Sequence, residues 1–252
     1  MIKGILTDMD GVILDSEKLY VRFWCEAGQA CGFPMERKHA LGIRSMARPY
    51  AIEKLQGWFG ESFDYDEVRN KRIELMNAYV DVHGIEPKPQ ADYLLSYLKE
   101  KGIKVALATA TAKPLAEKYL ERVGLLKYFD AVASAKQVEH GKPAPDIYIY
   151  AASLLGLKPE ECIALEDSPN GIRSAHAAGC KTVMVPDLDG AAEDIKPLLY
   201  DIADGLADVV RIIENCGRAP PAPDLIIGTL PINRSPRSGN RRENKHRPFF
   251  AF

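Results

Sequence analysis

The segment ILTDMDGVILD, residues 5–15, runs from an apolar stretch into two aspartates one residue apart, Asp8 and Asp10. Gly11 follows, and then the chain turns apolar again. Like charges this close repel, and burying them costs several kcal/mol unless something compensates. The stretch is therefore either a solvated turn or a cation site where the acids do chemistry. Three later apolar runs end in a similar way. IKVALA (103–108) leads into Thr109, Ala110 and Thr111; AVAS (131–134) is followed by Glu139-His140-Gly141-Lys142-Pro143; IAL (163–165) ends in Glu166-Asp167-Ser168. If these runs are parallel strands, their carboxyl ends carry carboxylates, a hydroxyl and one lysine to one edge of a sheet, where open α/β sheets bind ligands.

That set suits a divalent cation and a phosphoryl group. Mg²⁺ takes oxygen ligands, keeping waters beside one or two carboxylates and a substrate phosphate. Asp8, Asp10 and Asp167 can supply the carboxylates. A carboxylate can also attack phosphorus and form an aspartyl phosphate. The phosphoryl charge then needs neutralising, by Mg²⁺ on one side and Lys142 on the other, with the Thr109 hydroxyl and loop amides such as that of Ala110 filling in. A second carboxyl has to protonate the leaving oxygen and later activate water.

The elements that must position these residues alternate. IKGILT (2–7), IKVALA, AVAS, IAL and TVMV (182–185) read as buried strands. Helical patterns at 113–123, 146–155 and 169–178 separate the later ones, with Pro114 and Pro169 near helix starts and Gly124, Gly156 and Gly179 at helix stops. This alternation predicts an α/β fold with a doubly wound, mainly parallel sheet. Between about Glu17 and Gly84 the rhythm breaks. Amphipathic patterns at 19–30, 47–57 and 65–82, without a strand, predict a helical insertion, and residues 92–101 lead back to the sheet.

Length and composition fit this scheme. The chain has 252 residues, 46% hydrophobic and 27% charged, with a net charge of −2. Nothing in that balance points to nucleic acid or to a membrane surface, and no apolar run approaches a membrane span. Five cysteines form no CxxC pair, as expected for reduced thiols in the cytoplasm. From Gly217 onward, seven Lys/Arg against two acids make the tail +5 and leave −7 on residues 1–216. The tail is rich in Pro and Arg and lacks periodicity, which predicts a disordered or non-native segment.

Four motifs together resemble the haloacid dehalogenase superfamily, in its subgroup of phosphatases and phosphomutases with a helical cap. They are Asp8-Met9-Asp10-Gly11-Val12, Thr109 after VALA, Lys142-Pro143 within HGKPAPDIY, and Glu166-Asp167-Ser168-Pro169-Asn170-Gly171. The resemblance spans roughly Met1 to Asn215. It implies a Rossmann-like core from residues 1–16 and 85–216 and an all-helical cap at 17–84. It also implies roles: Asp8 as nucleophile, Asp10 as general acid/base with its backbone carbonyl on Mg²⁺, Thr109 and Lys142 on the phosphoryl group, Asp167 completing the metal site, and Glu166 helping directly or through water. Asp10 favours phosphoryl transfer over dehalogenation, because an alkoxide needs a proton and a halide does not. The expected activity is Mg²⁺-dependent hydrolysis of a small phosphorylated metabolite, a sugar phosphate, by a monomer.

A β-phosphoglucomutase-type isomerase is the alternative. The mutases, and many sugar phosphatases, carry a cap histidine where this chain has Tyr20, and the mutases prefer Thr where it has Ser16. A more distant alternative is a phosphoacceptor signalling module, which lacks the helical insertion and carries its acceptor aspartate later in the chain. Gln90 stands where the family usually has glycine. In the cap, Arg44 and Arg48 are expected to meet a second anionic group on the substrate, with Lys71 a weaker candidate. Tyr20 and Trp24 read as packing residues, one of which could line the pocket. Thr111 and Asp15 read as helix caps, and His140 and His176 as bystanders.

Overall fold

A strand buried on both faces has to find helices for each, and the short apolar runs of this chain do so in alternation. The computed structural model describes residues 2–216; the basic tail lies outside the described residues. In chain order the main elements are β1 (Gly4–Thr7), α1 (Glu17–Ala30), α2 (Arg37–Gly42), α3 (Arg48–Phe59), α4 (Tyr65–His83), α5 (Ala91–Glu100), β2 (Lys104–Thr109), α6 (Lys113–Arg122) and β3 (Ala131–Ser134). They continue with α7 (Asp146–Leu154), β4 (Cys162–Glu166), α8 (Pro169–Ala177), β5 (Lys181–Met184), β6 (Asp201–Ile202) and α9 (Leu206–Asn215). The strands form one parallel sheet in the order β3-β2-β1-β4-β5-β6. Leu6 of β1 lies opposite Ala106 of β2 and Ala164 of β4.

Successive residues point to opposite faces, so each strand feeds two cores. Ile5, Val105, Leu107, Ile163 and Leu165 pack with α5, α6 and α9. Leu6, Ala106, Ala108 and Ala164 pack with α7 through Ile147, Tyr148, Ala151 and Ala152. The second face is lined largely with alanine, so α7 lies close over the central strands. Sequence signals set the helix ends: prolines occupy the first turn of α3, α6 and α8, and Asp64 caps α4 by accepting from the amides of Asp66 and Glu67 at 2.9 and 3.0 Å.

Helices α1–α4 follow β1 and build an apolar cluster of their own, with Trp24, Met35, Leu55, Phe63 and Val68 at its centre. The chain leaves β1 and returns from α4 through two segments that run side by side in opposite directions. The Asp15 amide donates to the Glu86 carbonyl at 2.9 Å and the Lys88 amide to the Ile13 carbonyl at 2.8 Å. The five expected strands and the long helices lie where the pattern predicts them, within a residue or two at most ends. The pattern did not yield α2, β6 or α9. Among the described residues no helix is long and apolar enough to cross a membrane.

Gln90, just before α5, adopts φ +67°. A side chain in this left-handed region is strained by roughly 1–2 kcal/mol, which accounts for a preference for glycine at the position. We expect Gln90→Gly to raise unfolding stability by about 0.5–1 kcal/mol, the strain relief less the extra unfolded-state entropy. Chemical denaturation of the two proteins checks this; an unchanged or lower midpoint would remove strain as the explanation.

Candidate active site

The sheet order reverses between β1 and β4, and a parallel sheet opens a crevice beyond the strand ends at such a switch point. Asp8 is the first residue past β1 and Asp167 the first past β4. Asp8, Asp10, Thr109, Lys142, Glu166 and Asp167 are all 6% exposed or less. The structure thus brings together residues from four separate strand ends.

Each side chain has its own partners. Lys142 donates to Asp8 Oδ1 at 2.9 Å and to Glu166 Oε1 at 2.5 Å. Glu166 is held further by the Tyr148 hydroxyl at 2.7 Å, and its Oε2 accepts from the amides of Asp167 and Ser168 and from the Ser168 hydroxyl. This carboxylate fills the space over Gly171, where a Cβ would fall 1.9 Å from it. Asp10 faces elsewhere. Its Oδ1 accepts from the Ser16 hydroxyl at 2.6 Å and its Oδ2 from the Thr111 hydroxyl at 2.9 Å. Thr111 Oγ1 in turn lies 3.2 Å from the Tyr20 hydroxyl. Thr109 Oγ1 accepts from the Thr111 amide at 3.0 Å. Gly11, with φ +83°, turns the chain so closely past Asp167 that a Cβ would come within 2.5 Å of its Oδ2.

The electrostatics are lopsided. Burial pushes Asp8 up to about 7, Lys142 pulls it back in part, and Glu166 and Asp10 push it further up. Asp10 is raised by burial, with the Ser16 and Thr111 hydroxyls opposing. Burial holds Asp167 well above the carboxylate range despite Arg44, and it holds Glu17 there too, reinforced by Asp167 and Asp10. Burial works against the charge of Lys142, but Asp8 and Glu166 more than reverse this and its pKa is raised. Acids outnumber cations at the site. An oxygen from each of Asp8, Glu166 and Asp167 lies within 4.8 Å of the others. Both Asp167 carboxylate oxygens are buried without a hydrogen-bond partner. Buried carboxylate oxygens without a hydrogen bond, beside excess negative charge, fit a divalent oxygen-ligated cation such as Mg²⁺.

Above these acids lies a cavity of about 350 Å³ whose lining includes Asp8, Asp10 and Ala110 from the sheet side and Tyr20, Trp24 and Arg72 from the helical insertion. Its size is at the small end of the roughly 300–1,000 Å³ usual for small-molecule sites. Arg44 reaches the cavity wall, yet it is directed at Asp167: its Nη2 donates to the Asp167 carbonyl at 3.1 Å and its Nε is 3.7 Å from Oδ2. Arg48 does not reach the site; it pairs with Asp66 on an exposed surface. Lys71 pairs with Glu74 at 3.0 Å.

Two expected helix caps are not caps. Ala112 occupies the N-cap of α6, and Thr111 instead holds Asp10. Asp15 pairs with Lys18. Ser168 both caps α8, accepting from the Gly171 amide at 3.1 Å, and supports Glu166. His140 is exposed beside Glu139, and His176 lies against the Leu198 carbonyl, both away from the acids. Sequence reasoning missed Ser16 as a partner of Asp10, Glu17 and Arg72 as cavity residues, and Tyr148 as a partner of Glu166. Only Tyr148 had a legible signal, since a tyrosine on a buried helical stripe must find a partner for its hydroxyl.

Residues 2–179 match the haloacid dehalogenase-like hydrolase family. Hexitol phosphatase A of Escherichia coli is 33% identical over 184 residues, 73% of this chain and 82% of that protein. The phosphorylated carbohydrates phosphatase of Thermotoga maritima is 31% identical over 186 residues, 72% of this chain and 84% of that one. The crystal structure of β-phosphoglucomutase from Clostridium difficile superposes with a TM-score of 0.70 at 24% identity, over 85% of this chain and 96% of the other, and so shares its fold. With the four motifs gathered at one sheet edge, the family match over most of the described chain leads to one conclusion: this protein belongs to the haloacid dehalogenase-like hydrolases.

Proposed function

We propose that the protein is a phosphatase of small phosphorylated metabolites, sugar phosphates by class, that works through an aspartyl phosphate on Asp8. Helices α1–α4 act as a cap that closes the substrate cavity. The observation that carries this reading is the division between the two aspartates. Asp8 is paired with Lys142 and lies beside Asp167, whereas Asp10 is turned away and held by two hydroxyls. Asp8 is thus placed as an anionic nucleophile, and Asp10 as a carboxyl that can hold and release a proton.

In the first half-reaction an Asp8 oxygen attacks phosphorus and the bond to the ester oxygen breaks, while Asp10 delivers its proton to the leaving alkoxide. In the second, Asp10 takes a proton from water, which attacks the phosphoryl group and frees Asp8. Lys142, the Thr109 hydroxyl and the Ala110 amide would neutralise and orient the phosphoryl oxygens. Asp8, Asp167 and the Asp10 carbonyl would hold Mg²⁺, with Glu166 adjacent; when bound, the ion offsets the charge between nucleophile and phosphoryl group. Glu166 and Tyr148 fix the Lys142 ammonium. The relatives named as hexitol and phosphorylated-carbohydrate phosphatases support the substrate class.

The deciding experiment is phosphate release from a panel of sugar phosphates with Mg²⁺. Free phosphate from β-glucose 1-phosphate is expected, and glucose 6-phosphate without phosphate release would overturn hydrolysis in favour of mutase action. Asp8→Asn should abolish turnover of every ester. Asp10→Asn should slow aspartyl-phosphate formation from alkyl phosphates by roughly 10²–10⁴-fold while sparing that step for an aryl phosphate, whose leaving group needs no proton, so the variant should still release a single-turnover burst of aryl alcohol; an equal loss of the first step on both would remove Asp10 as the acid. A second test reads metal binding without activity. Mg²⁺ at about 100 times its dissociation constant should add about 2.7 kcal/mol, or roughly 5–10 °C in Tm, and Asp167→Asn should lose that shift. A shift retained in full by the variant would exclude Asp167 from the metal site.

A further inference from the structure

We infer that the cavity takes phosphate esters bearing a second anionic group, a carboxylate or another phosphate, and that Arg72 is the residue that receives it. This deepens the phosphatase reading and rests on it. Arg72 lies on the cavity side of α4 and is 9% exposed. Its guanidinium sits over the rings of Tyr20 and Trp24, 5.0 and 5.4 Å from their centroids. Its Nε is buried with no hydrogen-bond partner, and its Nη1 has only the Met76 sulfur, at 3.9 Å. It makes no ion pair among the described residues.

A buried guanidinium normally meets a carboxylate, because five donors and a full charge are costly to leave unpaired. Here no carboxylate meets it. Burial lowers the pKa of Arg72 and Arg69, one turn earlier on the same cavity wall, lowers it further, while Tyr20, Tyr65 and Asp10 offset this only in part. Arg69 too has no ion pair among the described residues. The two aromatic rings hold the guanidinium plane in place, so the fork is fixed before a ligand arrives. The acid site is near. Tyr20, on which Arg72 stacks, is hydrogen-bonded to Thr111, and Thr111 to Asp10. An ester whose phosphate lies at Asp8 can therefore reach Arg72 through a short carbon skeleton, and the complement to Arg72 is a planar or tetrahedral oxyanion. A neutral polyol would leave the guanidinium buried and unpaired.

The test compares kcat/KM for matched esters: glucose 6-phosphate against 6-phosphogluconate, which adds a carboxylate, and fructose 1-phosphate against fructose 1,6-bisphosphate, which adds a phosphate. The wild type should prefer at least one anion-bearing partner, and which arm responds identifies the anion. Arg72→Met should reduce that preference by about 30-fold or more, as for one partner removed from a buried charge pair, and Arg72→Lys should restore part of it. A purely structural arginine would lower both members of a pair alike and leave the ratio unchanged. No preference in the wild type, or an unchanged ratio in Arg72→Met, overturns the inference while leaving the phosphatase reading intact. If no ester is turned over, the phosphatase reading falls, and calorimetry of the same esters on Asp8→Asn decides the subsite. Tighter binding of the anion-bearing ester that disappears in Asp8→Asn/Arg72→Met upholds it, and equal binding overturns it.

Discussion

Five buried carboxylates, Asp8, Asp10, Glu17, Glu166 and Asp167, converge on one crevice, and the surrounding structure manages their repulsion. Lys142 is the central compensating charge, and it is shared between Asp8 and Glu166. Its position depends on Glu166, which depends on Tyr148 from α7, the Ser168 hydroxyl and the space left by Gly171. Tyr148 can reach Glu166 because the sheet face beneath α7 is lined largely with alanine. A packing choice on one side of the sheet thus sets the electrostatics at its edge. Removing one member of such a network leaves the others buried and unpaired, which costs more than the lost contact itself.

The fold was legible because its signals are local. A run such as VALA, preceded by Lys104 and ended by Thr109, then followed by a proline-started helix and a glycine, specifies a strand and a crossover with no knowledge of what lies beside it. The strand ends were legible for the same reason, since a buried parallel strand that stops at a carboxylate or a hydroxyl is conspicuous against its own apolar run. Asp8, Lys142 and Asp167 could thus be named from sequence, and the structure gathers them. The two-residue β6 is too short to have a period. By contrast, α9 carries Leu206, Val209, Val210 and Ile213 at helical spacing, a signal that was present and went unread.

The cavity wall was much less legible. Arg44, Arg48, Lys71 and Arg72 carry the same charge in similar amphipathic stretches, and tertiary packing divides them. Arg48 and Lys71 meet acids on the outer surface, Arg44 swings to Asp167, and Arg72 faces the cavity with none. Thr111 failed for a related reason. A hydroxyl near a helix start satisfies a local rule for capping, and here a buried carboxylate outcompetes the backbone for it. Local rules predict well where the competing partner is backbone and poorly where it is a charge brought in from elsewhere.

The paired segments that join helices α1–α4 to the sheet begin at Asp10 itself. Asp10 bridges to Leu14, and Leu14 bridges to Pro87 on the returning segment. Ser16, one of the two hydroxyls on Asp10, belongs to the outgoing segment, while Thr111, the other, belongs to the sheet side. Asp10 therefore sits where the paired segments leave the sheet, held by one hydroxyl from the outgoing segment and one from the sheet side. Under the proposed mechanism a swing of the helices about these segments would turn Asp10 against Thr111, while Asp8 is anchored at a strand end by Lys142. In the proposed reaction, access for the substrate and delivery of the proton would then be one mechanical event, with no separate signal needed to keep the acid idle while the cavity is open.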